Sequence, residues 1–211
     1  MSGTSKGELK QWNIELGSFI QIFDYPEMAI KAIEVCEDSD RFFTGGRYGI
    51  IKEWSLKKSE LVFEFPRGSL DGTIHCMLLL EEEGYLVTGS SAGVLMQYDL
   101  GKRGVLLEHE TGHNFNIIKL ALNRTLCSFF CVAMNGIITQ WSYSGMCQVA
   151  NLQAVTEDLI YDLKISWDDR YLFAGGRLGR IKQLNLLEDE EYIDWDDLLS
   201  PEDMITALAV F

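Results

Sequence analysis

The segment Gly49-Ile-Ile-Lys-Glu-Trp54 decides the fold, because its pattern, a glycine followed five residues later by an aromatic or large apolar residue, recurs along the chain. The other copies are Gly7-Glu-Leu-Lys-Gln-Trp12, Gly93-Val-Leu-Met-Gln-Tyr98, Gly136-Ile-Ile-Thr-Gln-Trp141 and Gly179-Arg-Ile-Lys-Gln-Leu184. The final residues of successive copies lie 42, 44, 43 and 43 positions apart. A period of about 43 residues is typical of repeats that are stacked or arranged around an axis.

Two further sequence features recur in each repeat together with that glycine. An apolar triplet with the spacing i, i+3, i+5 begins 24 residues before each of the last four final residues. The triplets begin at Ile30, Ile74, Ile117 and Ile160, and a fifth begins at Ile205. Between triplet and glycine lies a run rich in aromatic and branched residues, such as Arg41-Phe-Phe-Thr-Gly-Gly46, which is typical of a strand. We predict three antiparallel strands of one sheet in each of residues 30–56, 74–100, 117–143 and 160–186, with Ile33, Met77, Leu120 and Leu163 buried.

A fourth, less regular strand completes each predicted repeat, over segments such as 60–65 and 104–108. The glycine that opens the third strand suits a tight hairpin with positive φ, a conformation that is costly for most other residues. A four-stranded sheet that is apolar on both faces cannot bury itself, so the sheets must pack around an axis. The sequence therefore predicts an all-β protein, specifically a β-propeller.

The repeats resemble WD repeats through the glycine-to-tryptophan core, the Thr-Gly-Gly or Thr-Gly-Ser run before it, and the period. The resemblance covers nearly the whole chain. It implies a WD-repeat propeller with four complete four-stranded blades and partial blades at both ends, a fragment of a larger propeller. The predicted segments are a partial blade at 1–27, blades at 28–72, 73–115, 116–157 and 158–203, and the first strand of a further blade at 204–211. Segments such as GELKQW, GIIKEW and SWDDRYLFAGG also resemble WD-repeat proteins of cilia and flagella, notably in protists.

The chain departs from the WD pattern at the residues that form its hydrogen-bonded set. WD repeats often combine a His before the first strand, a Ser or Thr on the second, an Asp in the next hairpin and the Trp. The hairpin position holds Lys6, Tyr48, Ala92, Asn135 and Leu178, and the Ser/Thr position holds Ser2, Thr44, Thr88, Cys131 and Ala174. No repeat can form the complete set, so apolar packing must contribute more of the stability.

The spacing of the repeat predicts that the repeats at the two ends of the sequence are incomplete. The first copy lacks its first strand, and the triplet at Ile205 lacks the strands that should follow it. We interpret the chain as a segment of a larger propeller; the alternatives are a small irregular ring of five repeats and a chain that a partner completes. An open propeller exposes sheet edges and apolar faces, which favours association.

Composition and charge limit the classes of partner. The 211-residue chain is 47% hydrophobic and carries a formal net charge of −14, which argues against binding to nucleic acid phosphates or to anionic membranes. The N-terminal segment is polar and no long apolar run occurs, so neither a secretory signal nor a membrane span is predicted. Five cysteines without a CxxC pair indicate reduced thiols. We expect an intracellular, cytoplasmic protein, and the ciliary resemblance extends this to a cytoskeletal or ciliary location.

The sequence contains no motif of a catalytic centre. A GxSxG elbow, an HExxH helix, a P-loop and a GxGxxG fingerprint are all absent from it. The histidines, His75, His109 and His113, are scattered, and the neighbours of His113 offer no second ligand or base. We therefore expect a protein that is not an enzyme, without catalytic residues, bound metal or cofactor.

The candidate binding surface follows from propeller geometry, which places the hairpins before each glycine and the entries to each first strand on one face. The hairpins supply Arg47, Tyr48, Ser91, Asn135 and Arg177, and the entries add Glu157 and Asp158. An arginine there could bind a partner's carboxylate bidentately; the alternative is a solvated or locally paired cation. A second candidate is the acidic stretch at 188–197, either a solvated loop or a docking site for a basic segment anchored by Tyr192 and Trp195.

These observations predict a non-enzymatic protein–protein interaction scaffold within a eukaryotic intracellular assembly. One alternative is a peptide-recognition module, such as a substrate receptor, whose arginines read an acidic or phosphorylated motif. An alternative from another class is a propeller enzyme. The expected partners are other proteins, including the rest of its own propeller or a chain that supplies the missing strand, and not nucleic acid or membrane.

Overall fold

The computed structural model describes residues 1–23, 29–36, 39–68, 72–111, 115–152, 159–187, 192–195 and 204–210. These residues form five antiparallel sheets, numbered I to V in chain order. Sheet I contains β1 (Ser2–Gly3), β2 (Leu9–Asn13) and β3 (Ser18–Phe23), and sheet II contains β4 (Ile30–Val35), β5 (Arg41–Gly46), β6 (Ile51–Ser55) and β7 (Glu60–Glu64). Sheet III contains β8 (Ile74–Leu80), β9 (Tyr85–Ser90), β10 (Val94–Asp99) and β11 (Gly104–Glu110). Sheet IV contains β12 (Ile117–Asn123), β13 (Ser128–Ala133), β14 (Ile138–Ser142) and β15 (Cys147–Asn151), and sheet V contains β16 (Ile160–Ile165), β17 (Tyr171–Gly176), β18 (Ile181–Asn185) and β19 (Tyr192–Trp195).

The chain forms two compact units, residues 1–112 with sheets I to III and residues 113–211 with sheets IV and V. Within every sheet each strand pairs with the next strand of the chain. The all-β class is therefore confirmed, and each of the four predicted three-strand spans contains three consecutive antiparallel strands. The one helical element among the described residues is a single 3-10 turn at Arg47–Gly49.

The glycine that opens the third strand of each repeat has the positive φ that the sequence predicts. The values are 84° at Gly7, 66° at Gly49, 74° at Gly93, 81° at Gly136 and 69° at Gly179. This left-handed conformation is strained for residues with a Cβ atom. The repeated glycine therefore sets the hairpin between the second and third strands.

A different glycine, on the second strand, lets the first strand of the next sheet approach closely. A Cβ atom added to Gly45 would lie 2.8 Å from Cγ2 of Ile74. The equivalent pairs, at 2.7 and 2.5 Å, are Gly3 with Ile30 and Gly175 with Ile205. Real Cβ atoms do not approach other side-chain atoms this closely. The absence of a side chain on the glycine therefore leaves room for an isoleucine of the apolar triplet.

Aromatic side chains link neighbouring sheets of the first unit. Phe23, at the end of β3, packs edge-on against Phe42 and Trp54 of sheet II, with ring centroids 5.0 and 6.0 Å apart. One sheet later, Phe65 packs against Tyr98 of sheet III at 5.7 Å. A phenylalanine at or just after the end of a sheet's last strand thus covers the final aromatic residue of the next repeat.

The final tryptophan of a repeat satisfies its indole N–H by a hydrogen bond to a hydroxyl group. Trp54 Nε1 donates to Oγ1 of Thr44 on the neighbouring strand, at 2.9 Å. Sheet IV has Cys131 at that position, and Trp141 Nε1 donates instead to Oγ1 of Thr139 on its own strand, at 2.8 Å. Burial raises the pKa of the Cys131 thiol to about 12, so this side chain is an uncharged apolar residue of the core.

Of the four triplet residues expected to be buried, Met77, Leu120 and Leu163 are buried, but Ile33 is only half-buried. Met77 lies on β8, which packs along β4 of the neighbouring sheet. Ile33 lies on β4, whose neighbour in sheet I is the two-residue strand β1. The shorter neighbour covers less of the Ile33 side chain.

Residues 204–210, where the repeat predicts the first strand of a further blade, form no strand. The backbone N–H of Ile205 donates to the carbonyl oxygen of Gly176 at 2.9 Å, and that of Leu208 donates to Oδ2 of Asp162 at 2.7 Å. The Ile205 contact repeats the bond from the Ile30 N–H to the Thr4 carbonyl oxygen in the first unit. The segment therefore lies beside sheet V as β4 lies beside sheet I, but pairs with no strand among the described residues.

Of the two interpretations of the acidic stretch at 188–197, the solvated loop does not hold at its centre, where the fourth strand expected of this repeat is found. Residues Tyr192–Trp195 form β19, which pairs with β18 as the fourth strand of sheet V. Tyr, Ile and Trp are residues that favour strands. Residues 188–191 and 196–197 lie outside the described residues.

Candidate functional site

The predicted binding turns follow the second strand of each sheet and are fixed by a repeated backbone hydrogen bond. In the first unit the N–H of Arg47 donates to the Ala29 carbonyl oxygen at 3.4 Å, and the N–H of Ser91 donates to that of Thr73 at 2.8 Å. In the second unit the N–H groups of Met134 and Arg177 donate to Asn116 and Leu159, at 2.8 and 2.9 Å. Each turn is therefore tied to the residue that precedes the first strand of its own sheet.

The two arginines of these turns are exposed. Within the described part of the chain, neither Arg47 nor Arg177 forms an ion pair, whereas Arg41, Arg103 and Arg170 do. In a protein with 32 acidic residues, an exposed guanidinium without an internal carboxylate is available to an external one. The geometry is compatible with the predicted role in binding acidic groups.

Tyr48 adds an exposed aromatic ring beside Arg47. Its backbone has φ of 61°, in the left-handed region that residues other than glycine, Asn and Asp seldom adopt. Such strain is maintained only where the surrounding structure fixes it, and it occurs often at binding turns. The phenol ring is the largest exposed group of this turn.

Ser91 and Asn135 are half-buried, and the side-chain oxygen of each already accepts a backbone hydrogen bond. Ser91 Oγ accepts a hydrogen bond from the Thr73 N–H at 2.9 Å, and Asn135 Oδ1 accepts one from the Ile137 N–H at 3.3 Å. Their side-chain oxygens stabilise the turns, and their contact with a partner stays a prediction.

The remaining predicted site residues are described only in part or not at all. The Cα atoms of Tyr192 and Trp195 lie opposite those of Leu184 and Ile181 on β18, while the placement of both side chains lies outside the described residues. Glu157, Asp158 and His113 also lie outside them. Their predicted roles stay predictions.

A surface that the sequence reasoning missed lies on sheet I, on the face that carries Trp12. The residues at the equivalent position, Trp54, Tyr98, Trp141 and Leu184, are at most 5% exposed, whereas Trp12 is 44% exposed. Its indole N–H donates to Oγ of Ser2 at 2.7 Å, and its ring packs edge-on against Phe19, 6.4 Å away. We call the set formed by Trp12, Phe19, Ile20 and Ile22 the sheet I apolar surface.

The signal for this surface was present in the strand Ser18-Phe-Ile-Gln-Ile-Phe23, which contains no charged residue. Phe19, Ile20 and Ile22 are each more than half exposed. Isolated exposed apolar residues are common, whereas four of them on two neighbouring strands form a candidate interaction surface. Sheet I therefore carries the most extensive exposed apolar group at one strand that the described residues show.

His75 lies on β8 in a half-buried position. Burial lowers its pKa below the ordinary value, and the positive charge of Lys31 on β4 lowers it further. Among the described residues His75 has no hydrogen bond to a hydroxyl or thiol group, and no three His, Cys, Asp or Glu side chains are close enough to hold a metal ion. No helix in the described ranges is long and apolar enough to cross a membrane.

Comparison with known proteins extends the description of the fold. No family model matches the chain, and no curated protein matches it. Among solved structures, the chain is similar to the crystal structure of the computationally designed Ika8 protein, with a TM-score of 0.79 and 18% sequence identity. The similarity covers 99% of this chain and 61% of the designed one, so the chain spans about three fifths of that protein's length. At this identity the similarity concerns the fold alone.

Proposed function

We propose that this chain is a segment of a WD-repeat β-propeller that serves as a non-enzymatic protein–protein interaction scaffold within a eukaryotic intracellular assembly. The regular series of sheets supports the propeller segment: the same glycine opens the third strand of each repeat, and a close glycine–isoleucine contact recurs in three places. The expected location is cytoplasmic, with a cytoskeletal or ciliary site as the specific case. A fold of this kind hosts many functions, so the surface residues, not the fold, determine the function.

The observation that carries the proposal is the exposure of the Trp12 side chain on the sheet I apolar surface. In sheets II and III the equivalent aromatic residue is covered by Phe23 or Phe65 from the neighbouring sheet. An aromatic side chain buries more apolar area than most others, and its removal from water is worth roughly 25 cal/mol per Å². The Trp12 face therefore fits a further sheet of the same kind, from the rest of the propeller or from a partner protein.

Replacing Trp12 tests the scaffold proposal. With the tagged chain expressed in its own cells, Trp12→Gln is expected to lower the recovery of co-purifying proteins about tenfold, as expected for loss of an aromatic anchor. Trp167→Gln is the matched control, because Trp167 is 84% exposed and lies in a turn of sheet V. Thermal melting of each purified variant checks that it is folded.

The scaffold proposal fails if the wild-type chain recovers no protein in stoichiometric amounts, or if Trp12→Gln recovers the same proteins in the same amounts. A loss that is equal for Trp12→Gln and Trp167→Gln would likewise contradict it. In that case the Trp12 face has no special role in binding.

A second candidate function is recognition of an acidic or phosphorylated peptide, and the exposed turn arginines favour it. Arg47 and Arg177 occupy the same position of their repeats and form no ion pair among the residues that the structure describes. This function predicts that Arg47→Glu abolishes binding of an acidic peptide while Trp12→Gln does not. The two candidate functions are therefore separable in one set of variants.

A further inference from the structure

The first strand of each four-stranded sheet begins with a β-bulge. In sheet II, Ile30 and Ala32 lie opposite consecutive residues of β5, so Lys31 between them has no partner on that strand. The equivalent extra residues of sheets III, IV and V are His75, Ile118 and Tyr161. A β-bulge bends its strand and redirects the side chain of the extra residue, and bulges occur often beside functional sites.

The extra residues of the first unit are both basic. Lys31 is exposed, and His75 is half-buried at the start of β8, which packs along β4. Burial lowers the pKa of His75 and the charge of Lys31 lowers it further, so the two side chains are close enough to interact. The second unit has Ile118 and Tyr161 at these positions, so the basic pair is specific to the first unit.

Arg47 adds a third cationic group at this end of β4 and β8. Its backbone N–H donates to the carbonyl oxygen of Ala29, the residue directly before β4. The 3-10 turn that Arg47 opens also contacts β8. Lys31, Arg47 and His75 therefore lie at the same end of sheets II and III, and we call these three residues the basic cluster.

The side chains of the basic cluster have no hydrogen bond or ion pair in the part of the chain that the structure describes. The titratable groups on the elements that pack against β8 are Lys31 and Glu34 of β4, Arg41 of β5, Arg47 and Tyr48 of the turn, and Tyr85 of β9. Arg41 pairs with Glu53. Glu34 and Tyr85 lie toward the opposite end of their strands.

The local field at His75 is positive, although the whole chain has a formal net charge of −14. Of the described charged groups, Lys31 is the one that shifts the pKa of His75, and no described carboxylate offsets it. Charges farther away than about 8 to 10 Å are largely screened at physiological salt. The basic cluster can therefore attract an anionic group despite the acidic composition of the chain.

We propose that Lys31, Arg47 and His75 bind a carboxylate of an acidic peptide, with an affinity that rises as the pH falls through the titration of His75. The ammonium and guanidinium groups supply N–H donors to the carboxylate, and the protonated imidazole adds another. Because the whole chain is acidic, it repels a singly charged carboxylate less than a doubly charged phosphate. The inference rests on the second candidate function and names its ligand class, its residues and its regulation.

Linkage gives the direction of the pH dependence. In the free chain the pKa of His75 lies below its ordinary value, so the imidazole is neutral near neutral pH. A bound carboxylate offsets the charge of Lys31 and favours the imidazolium, which raises the pKa of His75. Binding is therefore tightest below the pKa of the free chain and weakens as the pH rises through the pKa of the complex.

Fluorescence anisotropy tests the site with a labelled peptide of serine and glycine that carries a central cluster of aspartates. The wild-type chain is expected to bind about five- to tenfold more tightly at about pH 5.5 than at about pH 7.5, where aspartate is ionised at both values. His75→Gln is expected to remove this pH dependence. Lys31→Gln is expected to weaken binding about fivefold at about pH 7.5.

The matched controls change a histidine and a lysine outside the basic cluster. His109→Gln lies on the outer strand of sheet III, and Lys57→Gln lies in the turn between β6 and β7. Both are expected to bind the peptide as the wild-type chain does and with the same pH dependence. Circular dichroism verifies that every variant is folded.

Equal wild-type affinity at the two pH values would overturn the inference, as would His75→Gln and Lys31→Gln variants that bind like the wild type. If Arg47→Glu still abolished binding in that case, the second candidate function would stand without this site. A phosphoserine peptide that binds about tenfold more tightly than the aspartate peptide would overturn the assignment to carboxylates. A wild-type chain that binds neither peptide would refute both the inference and the second candidate function.

Discussion

Replacing Arg41 and Arg103 together with methionine is expected to lower the free energy of unfolding by about 3 to 5 kcal/mol. Their shared partner is Glu53 on β6, whose side chain is 2% exposed. Arg41 Nη1 lies 3.5 Å from Oε1, and Arg103 Nη2, from sheet III, lies 3.3 Å from Oε2. The double variant leaves a buried carboxylate without a counter-charge, which is the costly outcome for such a cluster.

A third substitution distinguishes this charge effect from lost packing. Arg103 also lies over the Phe63 ring, 4.9 Å from its centroid, and methionine retains much of that apolar contact. Adding Glu53→Gln to the double variant removes the buried charge and is expected to recover most of the lost stability. Urea unfolding of the three proteins measures the effect, and equal stability of the double and triple variants would refute the explanation.

Gly45→Ala is expected to destabilise the chain by about 1 to 3 kcal/mol, because the added methyl group overpacks the contact between sheets II and III. The new Cβ would lie 2.8 Å from Ile74 Cγ2 and 2.9 Å from Met77 Sδ. Gly145→Ala is the control, since nothing lies within 4 Å of a Cβ atom there and its φ is ordinary. Equal melting temperatures for the two variants would show that the close contact at Gly45 does not determine how the sheets pack.

The strands were predictable because their signals are local. The glycine of each hairpin needs positive φ, and the runs such as Arg41–Gly46 combine strand-forming residues with turn formers at both ends. A fourth strand was expected in the repeat that forms sheet V, but its position was not, because the charges around Tyr192–Trp195 favoured a loop. A strand at the edge of a sheet has weaker patterning than one in its centre.

Contacts between sheets could not be predicted from a single sequence. The pair formed by Glu53 and Arg103 depends on how two separate repeats stack, and no local pattern specifies it. The exposure of an apolar face at an open end was expected in general, but which side chain is exposed there, Trp12 at a position that is buried in the other sheets, depends on how the sheets stack. Of the predicted turn residues, Arg47 is exposed as expected, while Ser91 Oγ accepts a hydrogen bond from the N–H of Thr73, the residue that precedes β8.

Hydroxyl-radical footprinting of the tryptophans tests the central claim, that the Trp12 face is a protein-binding surface, most directly. In the isolated chain, Trp12 and Trp167 should be oxidised, while Trp54 and Trp141, which are at most 1% exposed, should be protected. In the assembly purified from cells, the account predicts that Trp12 becomes protected while Trp167 is still oxidised. Equal oxidation of Trp12 in the isolated chain and in the assembly would contradict it.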